Sequence, residues 1–407
     1  MKPGLESIGA ICSRLGDPQD ALRIVHVAGT NGKGATCALI ESSFRAAGFS
    51  TGRYTSPHLV SLTERFMLNG APVSEESLDD AYASLPGPEG LTYFELLTAT
   101  AFELYRRKRV DWLVLETGLG GRLDATNIVK RPKVCIITRI GLDHCDWLGG
   151  TLREIAAEKG GIIKDGVPVV LGAMPAEARE VLERIAKERN APCVYAPDSI
   201  KDCEIPSGFA LGGKFNRENA LTALAALKVL GVGRDAIERG FASVVWPGRF
   251  QKIARNDRHF IVDGAHNPPA MRALVDSLKE DEMPVNAVVC GFCGDKDVAA
   301  NLELLREVTE RGIAVPIRNP RSLSAEATAK LMRDVGFADV RLCESLEEAL
   351  SMAPDGTVMC GSLFLAGEVL QLLNAAPCGA AGFTPNETFS AASCVQQGCD
   401  NATQKSR

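Results

Sequence analysis

A glycine-rich loop that carries a lysine is the feature of this sequence that most restricts its fold. An apolar run at residues 23–28 leads into "GTNGKG" at residues 29–34, and residues 35–48 follow with helical periodicity and a terminal glycine. A strand, a tight loop and a helix in this order place backbone N–H groups and a helix N-terminus around an anion. Lys33 adds a point charge suited to the outer phosphates of a nucleotide. The pattern favours phosphate binding over a plain turn with a solvent-exposed lysine.

The loop departs from the common G-x-x-x-x-G-K-[ST] pattern at two positions. Val27 stands where the first glycine belongs, and Gly34 stands where a hydroxyl should follow the lysine. The motif predicts a nucleotide site, but it does not explain the displaced hydroxyl.

Strand-like and helix-like segments alternate along the chain, which predicts an α/β protein with a largely parallel sheet. Apolar runs at 111–117 and 133–140 end in glycine and polar residues, and an Ala- and Leu-rich helix ends at Gly231. The pattern restarts near residue 250, so we expect a second, smaller α/β domain, with Pro247 and Gly248 as hinge candidates. Residues 376–407 are small, polar and aperiodic, which predicts a disordered tail.

Composition excludes several classes of protein. The net charge of -6 argues against a nucleic-acid surface, and we find neither a signal peptide nor an apolar run that could span a membrane. We therefore expect a cytoplasmic protein. The 13 cysteines are scattered through apolar segments and indicate buried free thiols; the single C-x-x-C, Cys290 to Cys293, lacks the second pair of a zinc site.

Polar residues at the predicted strand ends are candidates for a metal site. Ser56, Glu116 and His144 supply a hydroxyl, a carboxylate and an imidazole, and Mg²⁺ prefers oxygen ligands beside nucleotide phosphates. Each also has an ordinary structural interpretation, since Ser56 precedes a proline in a turn and His144 can bond a backbone carbonyl. Lys159, between an acidic residue and a Gly-Gly pair, can equally be solvent-exposed or paired with a glutamate.

Twelve motifs together carry a resemblance to a known family. They are, in order, "HVAGTNGKGATC", "TSPHL", "TERF", "LTYFELLTATAF", "ETGLGGRLDATN", "IGLDH", "LG.T...IA.EKGGI", "NRENALTALAAL", "PGRFQ", "DGAHNP", "DKD" and "GSLFLAGE". From about residue 5 to about residue 373, the chain resembles the bacterial folylpolyglutamate synthase/dihydrofolate synthase family of the Mur ligase superfamily. The resemblance implies a P-loop-containing Mur-ligase-like N-terminal domain with a mostly parallel sheet, at 1–248, that binds ATP and folate. It also implies a smaller Rossmann-like α/β ligase domain at 249–375.

The resemblance accounts for the unusual loop. In this family the loop resembles G-T-N-G-K-G-S, so Gly34 fits the family form and only Ala35 departs from it. Thr36 or a water would replace the missing hydroxyl. The resemblance implies the following nucleotide-binding residues: Gly29, Thr30, Asn31, Gly32, Lys33, Gly34, Thr36, Asn219, Arg249 and Asp263. Helix capping by Asn219 and a surface ion pair of Arg249 are the structural alternatives.

The resemblance also assigns metal-binding and catalytic residues. Ser56, Glu116 and His144 match family positions that bind Mg²⁺, and Lys159 matches a lysine that family members carry as a carbamate. Gly160 stands where the family usually has alanine. The catalytic set that the resemblance implies is Lys33, Lys159, His144 and His266.

The implied reaction is ATP-dependent ligation of L-glutamate through an acyl phosphate, by a monomer with no nucleic-acid or membrane partner. Two acceptors are implied, dihydropteroate and reduced folates. The segments "LTYFE" and "GLGGRLDATN" resemble the bifunctional enzymes and imply substrate-binding roles for Thr92, Phe94, Arg122, Asp124 and Ala125. Phe94 can stack on a flat pterin and Asp124 can accept its N–H groups, although Phe94 can also belong to the core.

Three other classes of function remain open to test. They are a folylpolyglutamate synthase or another Mur-type ligase, a P-loop GTPase or kinase, and a non-catalytic nucleotide-binding regulator in which Ala35 abolishes turnover. Glutamate-dependent release of phosphate distinguishes a ligase from the last two.

Overall fold

The computed structural model describes residues 4–373, which form two α/β units. The predicted disordered tail at 376–407 lies outside these residues. The strands of the first unit are β1 (Ile24–Ala28), β2 (Thr51–Tyr54), β3 (Phe66–Leu68), β4 (Ala71–Pro72), β5 (Trp112–Glu116), β6 (Val134–Ile137), β7 (Val169–Leu171) and β8 (Cys193–Tyr195). Its helices are α1 (Glu6–Arg14), α2 (Lys33–Ala46), α3 (Glu75–Ala83), α4 (Tyr93–Lys108), α5 (Cys145–Leu148), α6 (Leu152–Gly160), α7 (Ala176–Glu188), α8 (Ala196–Ser199), α9 (Lys214–Val229) and α10 (Arg234–Ser243).

The first sheet has the strand order β4-β3-β2-β5-β1-β6-β7-β8. All neighbouring strands are parallel except the pairs that include β3, which make an antiparallel edge. The predicted mostly parallel sheet is confirmed. Every residue of β1, β5 and β6 is buried, because helices cover both faces of a parallel sheet. The loops that follow β1, β2, β5 and β6 therefore meet at one edge.

The second unit has a smaller sheet with the order β13-β12-β11-β14-β10-β9. Its strands are β9 (Gln251–Arg255), β10 (Arg258–Val262), β11 (Ala287–Cys290), β12 (Arg311–Ala314), β13 (Asp339–Leu342) and β14 (Thr357–Cys360). Its helices are α11 (Pro268–Glu280), α12 (Val298–Leu305), α13 (Ala325–Asp334), α14 (Leu346–Met352) and α15 (Leu363–Leu372). Only β9 runs antiparallel to its neighbour, so this sheet is also mostly parallel, as expected.

Three local features of the structure bear on the sequence expectations. The Ala- and Leu-rich helix is α9, and Gly231 follows its C-cap residue with a φ of 72°, the left-handed conformation that glycine adopts readily. The ten cysteines within residues 4–373 are all free thiols, and seven of them are buried. Within the same range, none of the helices combines the length and the apolar character that a membrane span requires.

Candidate active site

The glycine-rich loop joins β1 to α2 and is held against β6. The N–H of Thr30 donates to the carbonyl of Arg139 at 2.9 Å, and the Thr138 hydroxyl donates to the carbonyl of Asn31 at 2.8 Å. Gly32 is the N-cap of α2 with a φ of 88°, where a side chain would be strained. A Cβ at Gly32 would also lie 2.1 Å from Asn219 Oδ1, so glycine lets α9 approach the loop closely.

Close packing against Trp246 leaves no room for a side chain at Gly34. It lies inside the first turn of α2, and a Cβ there would lie 2.2 Å from Cζ2 of Trp246. Trp246 belongs to the segment that joins the two units. The glycine after the lysine therefore lets this indole ring pack against the nucleotide loop, which the sequence pattern alone could not show.

Replacing Gly34 by alanine should raise the KM for ATP about tenfold and lower the free energy of unfolding by about 1–3 kcal/mol, because the indole ring must move. ATP saturation kinetics and denaturant unfolding measure the two effects. Gly9→Ala is the matched control, since a Cβ at Gly9 in α1 has nothing within 4 Å and should be neutral or stabilising. Adding Trp246→Leu should restore part of the stability; an unchanged KM and stability for Gly34→Ala would contradict this packing.

Lys33, Glu116 and Ser56 form the charged centre of this edge. The Lys33 ammonium donates to the carbonyl of Thr30 at 3.1 Å and lies 3.9 Å from Oε1 of Glu116. The other oxygen of Glu116 accepts the N–H of Ser56 at 3.1 Å. Burial raises the pKa of Glu116, and the nearby Lys33 ammonium opposes that rise. A positive ligand beside Glu116 would stabilise the ionised carboxylate further.

Lys159 is buried against the nucleotide loop rather than exposed to solvent. It lies near the end of α6, and its ammonium donates to the carbonyl of Gly29 at 2.9 Å. Burial, with a contribution from Lys33, lowers the pKa of Lys159 to about 7. At neutral pH a substantial fraction of this amine is therefore unprotonated and nucleophilic.

Gly160, the departure from the family pattern beside Lys159, lies where α7 packs on α6. A Cβ at this position would lie 2.7 Å from Cδ1 of Ile185 and 3.1 Å from Cδ2 of Leu182. The glycine thus makes room for two side chains of α7, so its absent side chain has a packing role in addition to its low helix propensity.

His144 stands at the junction of the two units. It has a φ of 53° and is the N-cap residue of the short helix α5. Burial lowers the pKa of its imidazole, which favours the neutral ring that can bind a metal. Beside it, Oδ2 of Asp143 accepts a 2.9 Å hydrogen bond from the side-chain amide of Asn267 in the second unit. This bond ties the His144 loop to the second sheet.

The second unit contributes Arg249, Asp263 and His266. The carboxylate of Asp263 accepts the N–H groups of Phe250 and Ala265 at 2.8 and 2.7 Å, which fixes the segment that enters β9 to the loop after β10. The ring Nδ1 of His266 lies 2.7 Å from the carbonyl of Gly264. Because a carbonyl only accepts, Nδ1 carries the proton and Nε2 keeps a lone pair while the ring is neutral. Burial lowers the pKa of His266, which favours that neutral form.

One cavity of about 520 Å³ connects the two units. Its lining brings together these predicted residues: Gly29, Thr30, Asn31, Gly32, Lys33, Gly34, Ser56, Glu116, His144, Lys159, Asn219, Arg249, Asp263 and His266. Residues from the carboxyl ends of β1, β2, β5, β6 and β10 thus face a common space, as expected for parallel sheets.

Thr36 is the predicted nucleotide-binding residue that the structure does not bring to this cavity. It is fully buried in α2, and its hydroxyl has no hydrogen-bond partner within residues 4–373. Ala35, in contrast, lines the cavity. The helix turns the Thr36 side chain into the core, so this hydroxyl is not placed to replace the one missing at position 35.

Replacing Thr36 by valine should leave the KM for ATP within about twofold and raise the free energy of unfolding by up to about 1 kcal/mol, because a buried unpaired hydroxyl is removed. Kinetics and denaturant unfolding of the variant measure both quantities. A KM increase of tenfold would show instead that this hydroxyl contacts the nucleotide.

The five predicted substrate residues lie in or next to the loop that follows β5: Arg122 and Asp124 belong to it, Ala125 follows it, and Thr92 and Phe94 stand at the start of α4. Thr92 caps α4 in a reciprocal pair with Glu95, and the ring of Phe94 packs on Tyr54 and against the Cα of Gly118. Arg122 is an exposed ion-pair partner of Glu158 at 2.9 Å. Within the described chain, the cavity lining omits Thr92, Phe94, Arg122, Asp124 and Ala125, whereas it includes Gly118, Leu119 and Gly120.

Both carboxylate oxygens of Asp124 accept hydrogen bonds from residues in and just after this loop. One carboxylate oxygen accepts the N–H groups of Gly118 and Leu119, both at 2.9 Å. The other accepts the N–H and the hydroxyl of Thr126. Asp124 therefore shapes the cavity wall at 118–120 in this structure, and direct contact with a pterin stays a prediction.

Several cavity residues were not predicted from the sequence. Arg65, Trp246, Lys296 and Arg321 all line the cavity, and His58 Nδ1 accepts a 2.9 Å hydrogen bond from Arg65. Lys296 lies in the "DKD" motif and Arg65 in "TERF", so these two residues could have been predicted from the family motifs. Arg321 and Trp246 lie outside these motifs, so the sequence offered no reason to select them.

Comparisons with known proteins agree with this geometry. Residues 27–199 match the Mur ligase middle domain, and residues 248–365 match the Mur ligase glutamate ligase domain. The dihydrofolate synthase/folylpolyglutamate synthase of Escherichia coli (strain K12) is 36% identical over 396 residues, which cover 91% of this chain and 92% of the relative. The structure of E. coli FolC in complex with DHPP and ADP has a TM-score of 0.82 at 33% identity and covers 92% and 94% of the two chains. A bifunctional folylpolyglutamate synthase/dihydrofolate synthase with Mn, AMPPNP and L-glutamate bound has a TM-score of 0.78 at 33% identity, covering 92% and 95%.

Proposed function

The chain belongs to the dihydrofolate synthase/folylpolyglutamate synthase family of the Mur ligases, and we propose that it joins L-glutamate to both dihydropteroate and reduced folates. It is an ATP-dependent ligase with the Mur ligase fold. One observation carries the proposal: Lys33 and Glu116 from the first unit and Arg249 and His266 from the second line the same cavity. A ligase needs such a site, because three substrates must meet there with water excluded.

In the first half-reaction the acceptor carboxylate attacks the γ-phosphorus of ATP, which gives an acyl phosphate and ADP. The backbone N–H groups of the loop hold the phosphates, and the Lys33 ammonium offsets the negative charge that gathers on the transferred group. Arg249 is partly buried near Asp263 and Glu116, so its guanidinium is a second cation at the cavity wall.

The residues near Glu116 fit a divalent cation. The carboxylate of Glu116 lies beside Ser56, and His144 lines the same cavity. Mg²⁺ is commonly held by one or two protein carboxylates together with waters and substrate phosphates, and Glu116 offers such a carboxylate. We assign Glu116, Ser56 and His144 as its protein ligands. When bound, Mg²⁺ neutralises phosphate charge.

We also propose that Lys159 carries a carbamate. Its amine is buried, and its lowered pKa of about 7 leaves it partly neutral at physiological pH. A neutral amine adds to carbon dioxide and, after loss of one proton, becomes a carbamate with two oxygens. That anion would replace a cation near Lys33, in the same cavity as Glu116, with an oxygen donor suited to Mg²⁺.

In the second half-reaction the amine of L-glutamate attacks the acyl phosphate. The carbonyl carbon forms a tetrahedral intermediate, the C–N bond is made, and phosphate leaves with the C–O electrons. The attacking amine must lose a proton, and the lone pair on Nε2 of neutral His266 is suited to take it. Lys296 and Arg321, also in the second unit, are cations of the kind that a dicarboxylate substrate requires.

For the acceptor, we propose that the 118–120 wall contacts the flat ring system. Asp124 acts by holding the N–H groups of Gly118 and Leu119, and Phe94 supports Gly118 from behind. Substitutions at these two positions should therefore alter acceptor binding through the shape of this wall.

The function is tested with purified protein, MgATP and L-glutamate, using either dihydropteroate or tetrahydrofolate as acceptor. Phosphate release and product masses are followed together. Glutamate addition to both acceptors is expected; addition to tetrahydrofolate alone would reduce the function to polyglutamylation. Absence of glutamate-dependent phosphate release with both acceptors would contradict the ligase.

A further inference from the structure

A second cavity lies behind the segment that joins the two units. It measures about 150 Å³ and is enclosed by α2, β2, β3 and residues 243–249; we call it the linker cavity. Pro57, Trp246 and Arg249 line both this cavity and the large one. The linker cavity is therefore a neighbour of the nucleotide site, separated from it by these side chains.

Arg53 is the unusual residue of the linker cavity. It is 6% exposed, and its Nε is buried without a hydrogen-bond partner. In the described part of the chain, its guanidinium forms no hydrogen bond: the nearest carboxylate oxygen, on Glu41, is 3.7 Å away. The guanidinium also lies over the ring of Trp246, whose centroid is 5.2 Å from Cζ. A guanidinium carries five N–H donors, and leaving the buried Nε–H unpaired is costly.

The carboxylates of the linker cavity are occupied by other groups. Oε1 of Glu41 accepts the Thr51 hydroxyl at 2.6 Å and lies 3.6 Å from Nε of Arg45. The Glu64 carboxylate accepts the three N–H groups of residues 59–61. The lining carries three arginines, Arg45, Arg53 and Arg249, against two carboxylates, Glu41 and Glu64, so one positive charge is in excess and is left for a ligand.

The rest of the lining sets the shape of that ligand. Leu59, Met67, Val244 and Trp246 supply apolar surface around Arg53. A planar guanidinium fork matches the two oxygens of a carboxylate, and the apolar walls favour a non-polar body attached to it.

We propose that the linker cavity binds a small monocarboxylate with an apolar body, which the guanidinium of Arg53 anchors. Its occupant would lie against Trp246, whose ring packs on Gly34 of the nucleotide loop. This site is additional to the ligase substrates and does not rest on the proposed acceptors.

Calorimetric titration of the full chain with benzoate tests the site, with saturating MgADP present to occupy the nucleotide cavity. Benzoate should bind with a Kd on the order of 1 mM, as expected for about nine non-hydrogen atoms, and neutral benzamide should bind at least about tenfold more weakly. Arg53→Met should abolish benzoate binding. Arg53→Lys keeps the charge beside Glu41 and so protects folding, but it loses the fork and should weaken binding about tenfold.

Arg106→Met is the matched control, because Arg106 is a half-exposed arginine of α4 that pairs with Glu103 away from the linker cavity. It should bind benzoate like the unmodified chain. The proposal is overturned if benzoate does not bind saturably, if it binds only when MgADP is left out, or if both Arg53 variants, shown to be folded by circular dichroism, bind it unchanged. Glutamate-dependent phosphate release, measured separately, reports on the ligase activity alone.

Discussion

Replacing Lys33 by methionine should lower kcat for glutamate-dependent ADP formation about 10³-fold, because the variant loses the ammonium that offsets charge on the transferred phosphoryl group. Methionine keeps the length and the apolar stem of lysine, so the fold should persist. Among the ion pairs within residues 4–373, Lys33 supplies the ammonium nearest to Glu116, at 3.9 Å from Oε1. Its loss should raise the pKa of that carboxyl further, which weakens cation binding as well.

Steady-state kinetics with both acceptors measure this loss, and thermal unfolding checks the fold. Lys330→Met is the matched control, because Lys330 is an exposed lysine of α13 that pairs with Asp334. It should keep full activity. A reduction of less than tenfold for Lys33→Met would mean that the loop binds something other than the phosphates of ATP.

Replacing Lys159 by alanine should lower kcat about 10²–10³-fold, because the variant lacks the proposed carbamate and with it a charged ligand at the phosphate site. A small carboxylate such as acetate can enter the space that the side chain leaves. Acetate should therefore restore activity of Lys159→Ala at least tenfold, whereas it should not restore Lys33→Met. This difference separates a carbamate from a lysine that only bonds the carbonyl of Gly29.

The carbamate also predicts a pH dependence. Burial lowers the pKa of Lys159 to about 7, so the neutral amine is the minor form at pH 6 and the major form at pH 8. Since only the neutral amine adds carbon dioxide, activity at a fixed dissolved CO₂ concentration should rise across this interval. Removing CO₂ should lower the activity of the unmodified chain and leave acetate-restored Lys159→Ala unchanged. Indifference to CO₂, with no effect of acetate, would contradict the carbamate.

The edge of the first sheet could be predicted from sequence because its features are local. Apolar runs that end in glycine and polar residues define parallel strands, and the carboxyl ends of such strands meet at one edge. Lys33 and His144 follow two of those strands and Glu116 ends a third, so their convergence could be predicted without knowledge of side-chain packing. The resemblance to a family then supplied Lys159, whose position against Gly29 depends on side-chain packing, and Arg249 and His266, whose placement depends on the contact between the two units.

Contacts between distant segments could not be predicted in this way. Trp246 packs on Gly34 and covers Arg53, although more than 190 residues separate it from both. The spacing of apolar residues along the sequence does not predict such a contact. The structure does not support the predicted role of Thr36, and the reason is different. Side chains of successive residues in an α-helix point in directions about 100° apart, so a hydroxyl one position further along α2 points away from the site. Asp124 shows the same limit, since its hydrogen bonds to Gly118 and Leu119 depend on the turn between them.

Transfer of oxygen from the acceptor to phosphate tests the central claim most directly. Dihydropteroate labelled with ¹⁸O in its carboxylate is incubated with the protein, MgATP and L-glutamate, and the released phosphate is examined by mass spectrometry. If the acceptor carboxylate attacks ATP to form an acyl phosphate, one ¹⁸O atom appears in each phosphate, together with one glutamylated product. Glutamylated product with unlabelled phosphate would contradict the acyl phosphate, and phosphate without any amide product would contradict the ligase itself.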